Sequence, residues 1–140
     1  MKYLILFSFL LFAFSCKKKE DAVVNNGIPY VAVSITIYSS DPVFSTINAV
    51  GGWTYLAGGS KGIILYHKST DEFTALDRHS TYRPENGCVV NVNSSGVIAV
   101  DTCSHSEFFL SDGYVSKGPA TIPLKAYQTK YDGNALRIYN

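Results

Sequence analysis

Residues 98–124 read I-A-V-D-T-C-S-H-S-E-F-F-L-S-D-G-Y-V-S-K-G-P-A-T-I-P-L, and this stretch decides the fold of the chain. Short apolar runs alternate here with polar turns. The run Phe108–Leu110 is followed by Ser111, Asp112 and Gly113, and then by a second apolar pair. Because Asp-Gly between two apolar runs strongly favours a tight turn, the stretch predicts antiparallel β-hairpins around a polar loop.

The same pattern of short strands and turns continues on both sides of this stretch. Residues 30–38 alternate with period two, which predicts a strand with Val31, Val33, Ile35 and Ile37 on one face. Turn signals recur at a spacing of roughly 8–12 residues, which is typical of an all-β sandwich or barrel. The further predicted strands cover 53–57, 62–67, 72–76, 89–92, 97–100, 108–110, 114–115, 125–131 and 135–139.

One short helix is predicted near 41–50. Asp41 and Pro42 have the character of an N-cap and a first helical residue, and a glycine follows the segment. The apolar residues expected on one face of this helix are Val43, Ile47 and Val50.

The N-terminus resembles a bacterial lipoprotein signal. Residues 1–15 contain a lysine and then an apolar run too short for a comfortable membrane span, so they are predicted to be a signal peptide. Cys16 is predicted to become the lipidated first residue, and 16–27 a solvated tether and linker. An ordinary cleavage near Ser15, or an uncleaved anchor, is the alternative. The expected location is the bacterial outer membrane, its periplasmic side or the cell surface.

The rest of the chain is sufficient for one small domain, predicted over 28–140. Apolar residues make up 46% and aromatic residues 14% of the sequence, which predicts a packed core. Twelve basic residues face eleven acidic ones, giving a formal net charge of +1. Since this balance provides no electrostatic attraction for a polyanion, no nucleic-acid partner is expected.

With Cys16 assigned to lipid, two of the three cysteines remain in a compartment that permits disulfides. A bridge between Cys88 and Cys103 would close a loop of about 15 residues and stabilise the fold by about 3 kcal/mol. Two buried free thiols are the alternative.

Residues 98–124 resemble the second cluster-binding loop of Rieske iron–sulfur proteins. In that family C-P-x-H-G-S-x-F is followed by a D-G hairpin and by G-P-A-x-x-P-L, and the match is anchored on Ser106, Glu107 and Phe108. The resemblance extends over most of 28–140. It implies a Rieske-like antiparallel β-sandwich with a small, loop-rich subdomain of the cluster-binding type.

The four positions that match the family's cluster ligands carry other residues. In a Rieske [2Fe–2S] centre two cysteines bind one iron and two histidines bind the other. The alignment puts the cysteine positions at Ser80 and Asp101, and the histidine positions at Tyr82 and Ser104. Oxygen donors are poor substitutes for thiolate and imidazole toward a soft cluster, so no cofactor is predicted.

The resemblance also implies a disulfide. Many respiratory Rieske proteins join their two cluster loops by such a bond, and Cys103 occupies the position of one of its cysteines. Cys88 follows the first ligand motif after an insertion at 83–87. We therefore expect the Cys88–Cys103 bond to connect the loops in place of the cluster.

A different alignment would combine His79, Cys88, Cys103 and His105 as ligands, but it lacks the spacing of the family and of zinc sites. No metal site is therefore predicted, and these histidines, like His67, are expected on loops or strand faces.

No catalytic constellation is predicted either. Asp77 and Asp101 lack a nucleophile or third partner in the sequence, so they are expected to be turn or loop carboxylates. The predicted function is a non-enzymatic structural or binding module whose partner is an unknown envelope protein or small ligand. The alternatives are a [2Fe–2S] electron-transfer protein with atypical ligands, and a metal or small-ligand site formed by His79, His105 and the loop carboxylates.

Overall fold

A computed structural model describes residues 27–140, which form ten β-strands and two short 3₁₀ helices. The predicted signal peptide, Cys16 and all of the tether except Gly27 lie outside the described residues. Within 27–140, no helix is long and apolar enough to cross a membrane.

The strands follow one another through short turns and loops. The 3₁₀ helices are Pro42–Ile47 and Pro84–Asn86. The strands are β1 (Ser34–Tyr38), β2 (Trp53–Leu56), β3 (Ile63–Ser69), β4 (Glu72–Asp77), β5 (Val90–Val92), β6 (Ile98–Asp101), β7 (Glu107–Phe109), β8 (Val115–Lys117), β9 (Ala126–Tyr131) and β10 (Ala135–Tyr139).

Two antiparallel sheets result, which confirms the predicted all-β class. The larger sheet has six strands in the order β1-β10-β9-β4-β3-β2, and the smaller has four in the order β5-β6-β7-β8. Strands β4 and β9 pair directly in the large sheet although the whole small sheet lies between them in the chain. The small sheet is therefore an insertion, and its loops form the loop-rich unit that the sequence predicts.

Strand β3 separates two hydrophobic cores. Because side chains alternate along a strand, Ile63 and Leu65 face one core and Ile64 and Tyr66 the other. The first core lies between strands of the large sheet and the 3₁₀ helix Pro42–Ile47, which covers it. The second core lies between the large and small sheets. The unbroken apolar run of β3 is typical of a strand buried on both faces.

The first strand is shorter than its period-two pattern predicts. Val33 and Ile37 are buried, but Val31 is 37% exposed and the strand begins only at Ser34. Its partner β10 ends at the residue opposite Ser34, so earlier residues have no strand to pair with. The side chain of Asn140 continues the pairing instead, accepting from the Val33 N–H and donating to the Val31 carbonyl.

The helix predicted near 41–50 is a 3₁₀ helix that ends at Ile47. Phe44 and Ile47 are buried, whereas Val50 is 59% exposed. A 3₁₀ helix has three residues per turn, so Phe44 and Ile47 share its inner face. The prediction for Val50 assumed α-helical spacing and a longer helix, and it is wrong.

Adjacent phenylalanines on β7 provide a test of the small sheet. Phe108 is fully buried and Phe109 is 44% exposed. We expect Phe108→Ala to lower the free energy of unfolding by about 3–5 kcal/mol, because it leaves a cavity between the sheets. The matched variant Phe109→Ala should cost less than about 1 kcal/mol. Chemical denaturation measures both values, and equal losses would contradict this orientation of β7.

Candidate functional site

The four positions aligned with the family's cluster ligands come together at one end of the small sheet. The first loop follows β4 and contains Ser80 and Tyr82, and the second loop follows β6 and contains Ser104. Asp101 ends β6, and the Ser80 hydroxyl donates to its Oδ2 at 2.8 Å. The Ser104 hydroxyl donates to the same oxygen. The Tyr82 N–H donates to the Ser80 Oγ at 3.2 Å. Both loops therefore meet at a single carboxylate.

Asp101 is fully buried, which the sequence did not predict. Its Oδ1 accepts a further hydrogen bond from the Cys103 N–H at 3.0 Å. The only ion pairs among residues 27–140 are Lys68–Glu72 and Lys117–Glu107, so no described basic side chain neutralises Asp101. A buried charge is costly unless its hydrogen bonds are satisfied, and hydrogen bonds to charged groups contribute about 1.5–3 kcal/mol each.

A third loop joins this arrangement through Ser106. The Ser106 and Ser104 hydroxyl oxygens lie 2.8 Å apart, and the Ala120 N–H donates to Ser106 Oγ at 2.9 Å. Ser106 is fully buried. Ser80, Asp101, Ser104 and Ser106 are called the Asp101 cluster below. Through it, the turn that precedes Ala120 is connected to both of the other loops.

The predicted disulfide is present. Cys88 and Cys103 are bonded, and the bond connects the segment before β5 to the loop after β6. Cys88 is buried, whereas Cys103 is exposed at the loop surface. The pairing expected from the resemblance is therefore found, and the loops have a covalent connection as well as the Asp101 cluster.

Removing the disulfide should destabilise the protein. We expect Cys88→Ser with Cys103→Ser to lower the free energy of unfolding by about 3 kcal/mol, because the unfolded chain gains the entropy of an open loop. Denaturation of the wild type with and without a reductant should show a similar loss. The double variant is the control and should not respond to the reductant. A reductant-insensitive wild type would contradict the assigned role of the bond.

Asp77, the last residue of β4, is a second buried carboxylate at the start of a turn. It accepts hydrogen bonds from the Ser60 N–H at 2.7 Å, the His79 N–H at 2.8 Å and the Tyr127 hydroxyl at 2.6 Å. These donors come from the β2–β3 turn, the first loop and β9. Asp77 thereby fixes where the first loop leaves the large sheet.

Ser60 and His79 form a pair that the sequence did not predict. The Ser60 Oγ lies 2.8 Å from His79 Nδ1, and His79 Nε2 lies 2.8 Å from the Pro84 carbonyl oxygen. Since a carbonyl only accepts, Nε2 carries a proton, and in the neutral ring Nδ1 accepts from the serine hydroxyl. The two residues lie 19 apart in sequence, so no local motif signals the contact.

This pair has the hydrogen bond of a serine nucleophile and its base, but the N–H groups of Ser60 and Lys61 do not point toward a bound oxyanion. Catalysis at a serine is usually assisted by backbone N–H groups or polar side chains aimed at the developing oxyanion. The N–H groups of Ser60 and Lys61 are both directed at the Asp77 carboxylate, at 2.7 and 3.3 Å. These two N–H groups are therefore occupied by Asp77, and the contact of His79 with the Pro84 carbonyl connects the pair to the first loop.

The three histidines lie in separate environments. The buried His67 ring stacks on Phe73 with centroids 4.3 Å apart and contacts the Ile47 carbonyl oxygen through Nδ1. His79 is buried as described, and His105 is exposed. Within the described part of the chain, His79 and His105 do not join any three-residue group with metal-ligand spacing. The small-ligand alternative for these two histidines stays a prediction.

Lys125 has a buried amino group with no hydrogen-bond partner among the described residues. Its Nζ lies 5.2 Å from the centroid of the Tyr127 ring and 5.5 Å from that of Tyr30. Burial lowers the pKa of Lys125, and the Asp77 carboxylate partly opposes this shift. Burial and the hydrogen bond to Asp77 raise the pKa of Tyr127.

Replacing Lys125 should therefore stabilise the protein. We expect Lys125→Met to raise the free energy of unfolding at pH 7 by about 0.5–1 kcal/mol, a modest gain because solvent screens part of the charge. The exposed Lys68→Met is the control and should change little.

The stability gained by Lys125→Met should depend on pH in a defined direction. Folding lowers the pKa of Lys125, so the folded state binds protons less readily at this amino group. Burying the charged amino group therefore reduces the free energy of unfolding, and this reduction is fully present below the folded-state pKa. The reduction in stability disappears as the pH rises toward 10.5, the pKa of this lysine in the unfolded chain. Denaturation at pH 7 and near pH 10 should show the advantage of Lys125→Met shrinking. A destabilised variant at pH 7 would contradict this account.

Similarity to known proteins is found in structure and not in sequence. No family model matches the chain, and no curated protein matches it. Among solved structures, it is similar to the ferredoxin of carbazole 1,9a-dioxygenase from Nocardioides aromaticivorans IC177, with a TM-score of 0.48 and 11% identity. The match covers 79% of this chain and 96% of that chain. Such low similarity does not transfer residue roles.

Proposed function

We propose that this chain is a lipid-anchored envelope protein whose Rieske-like domain has lost its cluster and acts as a non-enzymatic binding or structural module. The Asp101 cluster is the observation that supports this most directly. Of the four positions aligned with cluster ligands, Ser80 and Ser104 both donate to Asp101. The fourth, Tyr82, joins them by donating its N–H to Ser80.

The chemistry of these groups argues against a cluster. Iron–sulfur clusters of this type need two thiolates and two imidazoles. Here the same positions provide hydroxyls and a carboxylate, and the Ser80 and Ser104 hydroxyls donate their protons to Asp101. Oxygen donors that satisfy one another in this way leave no soft ligand for iron. Hydrogen bonds and the Cys88–Cys103 bond perform the mechanical role that a bridging cluster would have.

The topology supports the family part of the proposal. The small sheet is inserted between two paired strands of the large sheet, as expected for a base with a cluster-binding-type subdomain. The two loops that carry the aligned positions follow β4 and β6 and meet at one end of the small sheet.

The loop end has the character of a recognition surface. Thr102, Cys103 and His105 are exposed, while the backbone beneath them is held by the buried Asp101. Exposed side chains on loops positioned by a rigid scaffold commonly carry binding. An envelope protein or a small ligand is the proposed partner.

The proposed lipid anchor would keep this surface near a membrane. Gly27 packs against Pro84 beside the first loop, with so little space that an added Cβ would lie 2.6 Å from Pro84 Cγ. From Cys16 to Gly27 a fully extended tether reaches at most about 40 Å. The loops would therefore stay within roughly that distance of the lipid.

Iron analysis of the purified full chain tests the proposal. We expect a colourless protein without stoichiometric iron or sulfide, because the four aligned positions lack thiolate and imidazole. A known [2Fe–2S] protein produced in the same cells is the control for cluster supply. A red-brown protein with two iron and two sulfide per chain, on the order expected for one cluster, would support electron transfer instead.

A further inference from the structure

The disulfide and the buried Asp101 carboxylate together bring three potential metal ligands into one place. The Cys88 Sγ, the Cys103 Sγ and a carboxylate oxygen of Asp101 all lie within 4.8 Å of one another. In the described part of the chain this is the one group of three such residues with that spacing. We infer that reduction of the disulfide converts this group into a binding site for a thiophilic divalent metal such as Zn²⁺.

The ligand set suits zinc. Zn²⁺ binds cysteine sulfur at about 2.3 Å and carboxylate oxygen at about 2.0–2.2 Å in a tetrahedral arrangement. That geometry requires two sulfurs about 3.8 Å apart, so the cysteines need only separate from bonding distance to ligand distance. Asp101 is already within reach of both. Water can occupy the fourth position.

The surroundings of Asp101 supply the orientation that metal ligands need. The Ser80 and Ser104 hydroxyls both donate to Oδ2, whereas Oδ1 accepts only the Cys103 N–H. Outer hydrogen bonds of this kind orient a ligating carboxylate and typically change metal affinity by about 10–100-fold. A fully buried carboxylate with no described cation beside it would also gain a counter-ion.

The chemical step balances with a dithiol as the reductant. A thiolate of the dithiol attacks the sulfur of Cys103, the more exposed of the two residues, and the Cys88–Cys103 bond breaks. The dithiol is oxidised to its own disulfide. The protein gains two electrons and two protons as two thiols. Zn²⁺ then binds the two thiolates, and their protons go to solvent. Metal binding and the disulfide are therefore mutually exclusive.

Metal titration of the full chain, purified in detergent, tests this inference. The oxidised and the phosphine-reduced protein are titrated anaerobically with Zn²⁺ against a chromophoric chelator, and with Co²⁺ as a spectroscopic probe. We expect one equivalent to bind the reduced protein, with a thiolate-to-cobalt charge-transfer band, and none to bind the oxidised protein at these positions. Circular dichroism reports whether the reduced protein is folded.

Variants distinguish the residues that would bind the metal from the residue that orients Asp101. Asp101→Asn keeps the size of the side chain and should weaken binding at least tenfold, and Ser104→Ala should weaken it by about 10–100-fold. Cys88→Ser should remove the site. Asp71→Asn, an exposed carboxylate in the β3–β4 turn, is the matched control and should leave affinity unchanged.

Three results would overturn the inference. The first is a reduced protein that binds no more metal than the oxidised one. The second is a reduced protein that unfolds and is not refolded by Zn²⁺. The third is a folded Asp101→Asn variant with wild-type affinity, which would exclude the assigned ligand set. Because the iron analysis is independent of these titrations, failure here leaves the proposed function standing, and the converse also holds.

Discussion

The Asp101 carboxylate is the point at which the loops of the small sheet meet, and their arrangement depends on its hydrogen bonds. Ser80 donates to it from the first loop, and Ser104 and the Cys103 N–H donate from the second. A buried charge with no basic partner in 27–140 is stable only when such donors surround it. Each donor therefore matters more than an ordinary surface hydrogen bond, because its loss leaves part of a buried charge unsatisfied.

The two loops begin in the same way. Asp77 ends β4 and accepts the N–H of His79, and Asp101 ends β6 and accepts the N–H of Cys103, in each case two residues further on. Aspartates commonly start turns through this contact with their own backbone. In this fold each carboxylate also accepts a hydroxyl from a distant strand or loop, as from Tyr127 to Asp77. A local turn motif is thereby also connected to a segment that is distant in the sequence.

Many of the strands could be predicted because their signals are local. Period two and Asp-Gly turns depend only on neighbours in the chain, and β6 to β10 lie close to their predicted positions. The pattern failed at Val31 and Val50, where no partner strand or inner helical face is available. The resemblance placed Ser80, Tyr82, Asp101 and Ser104 at one site, and the structure brings them together. It could not show that the carboxylate is fully buried or what donates to it.

The sequence by itself determined the strand-and-turn pattern, the candidate loop residues and the two cysteines available for a bond. Only the tertiary structure decided which of these residues are buried and what they contact. Two of these features join residues from separate elements, namely the Ser60–His79 pair and the group of Asp101 with Cys88 and Cys103. The burial of the Lys125 amino group likewise depends on segments that pack over it. Side-chain burial and pairing depend on which distant strand packs alongside, and local composition does not encode that information.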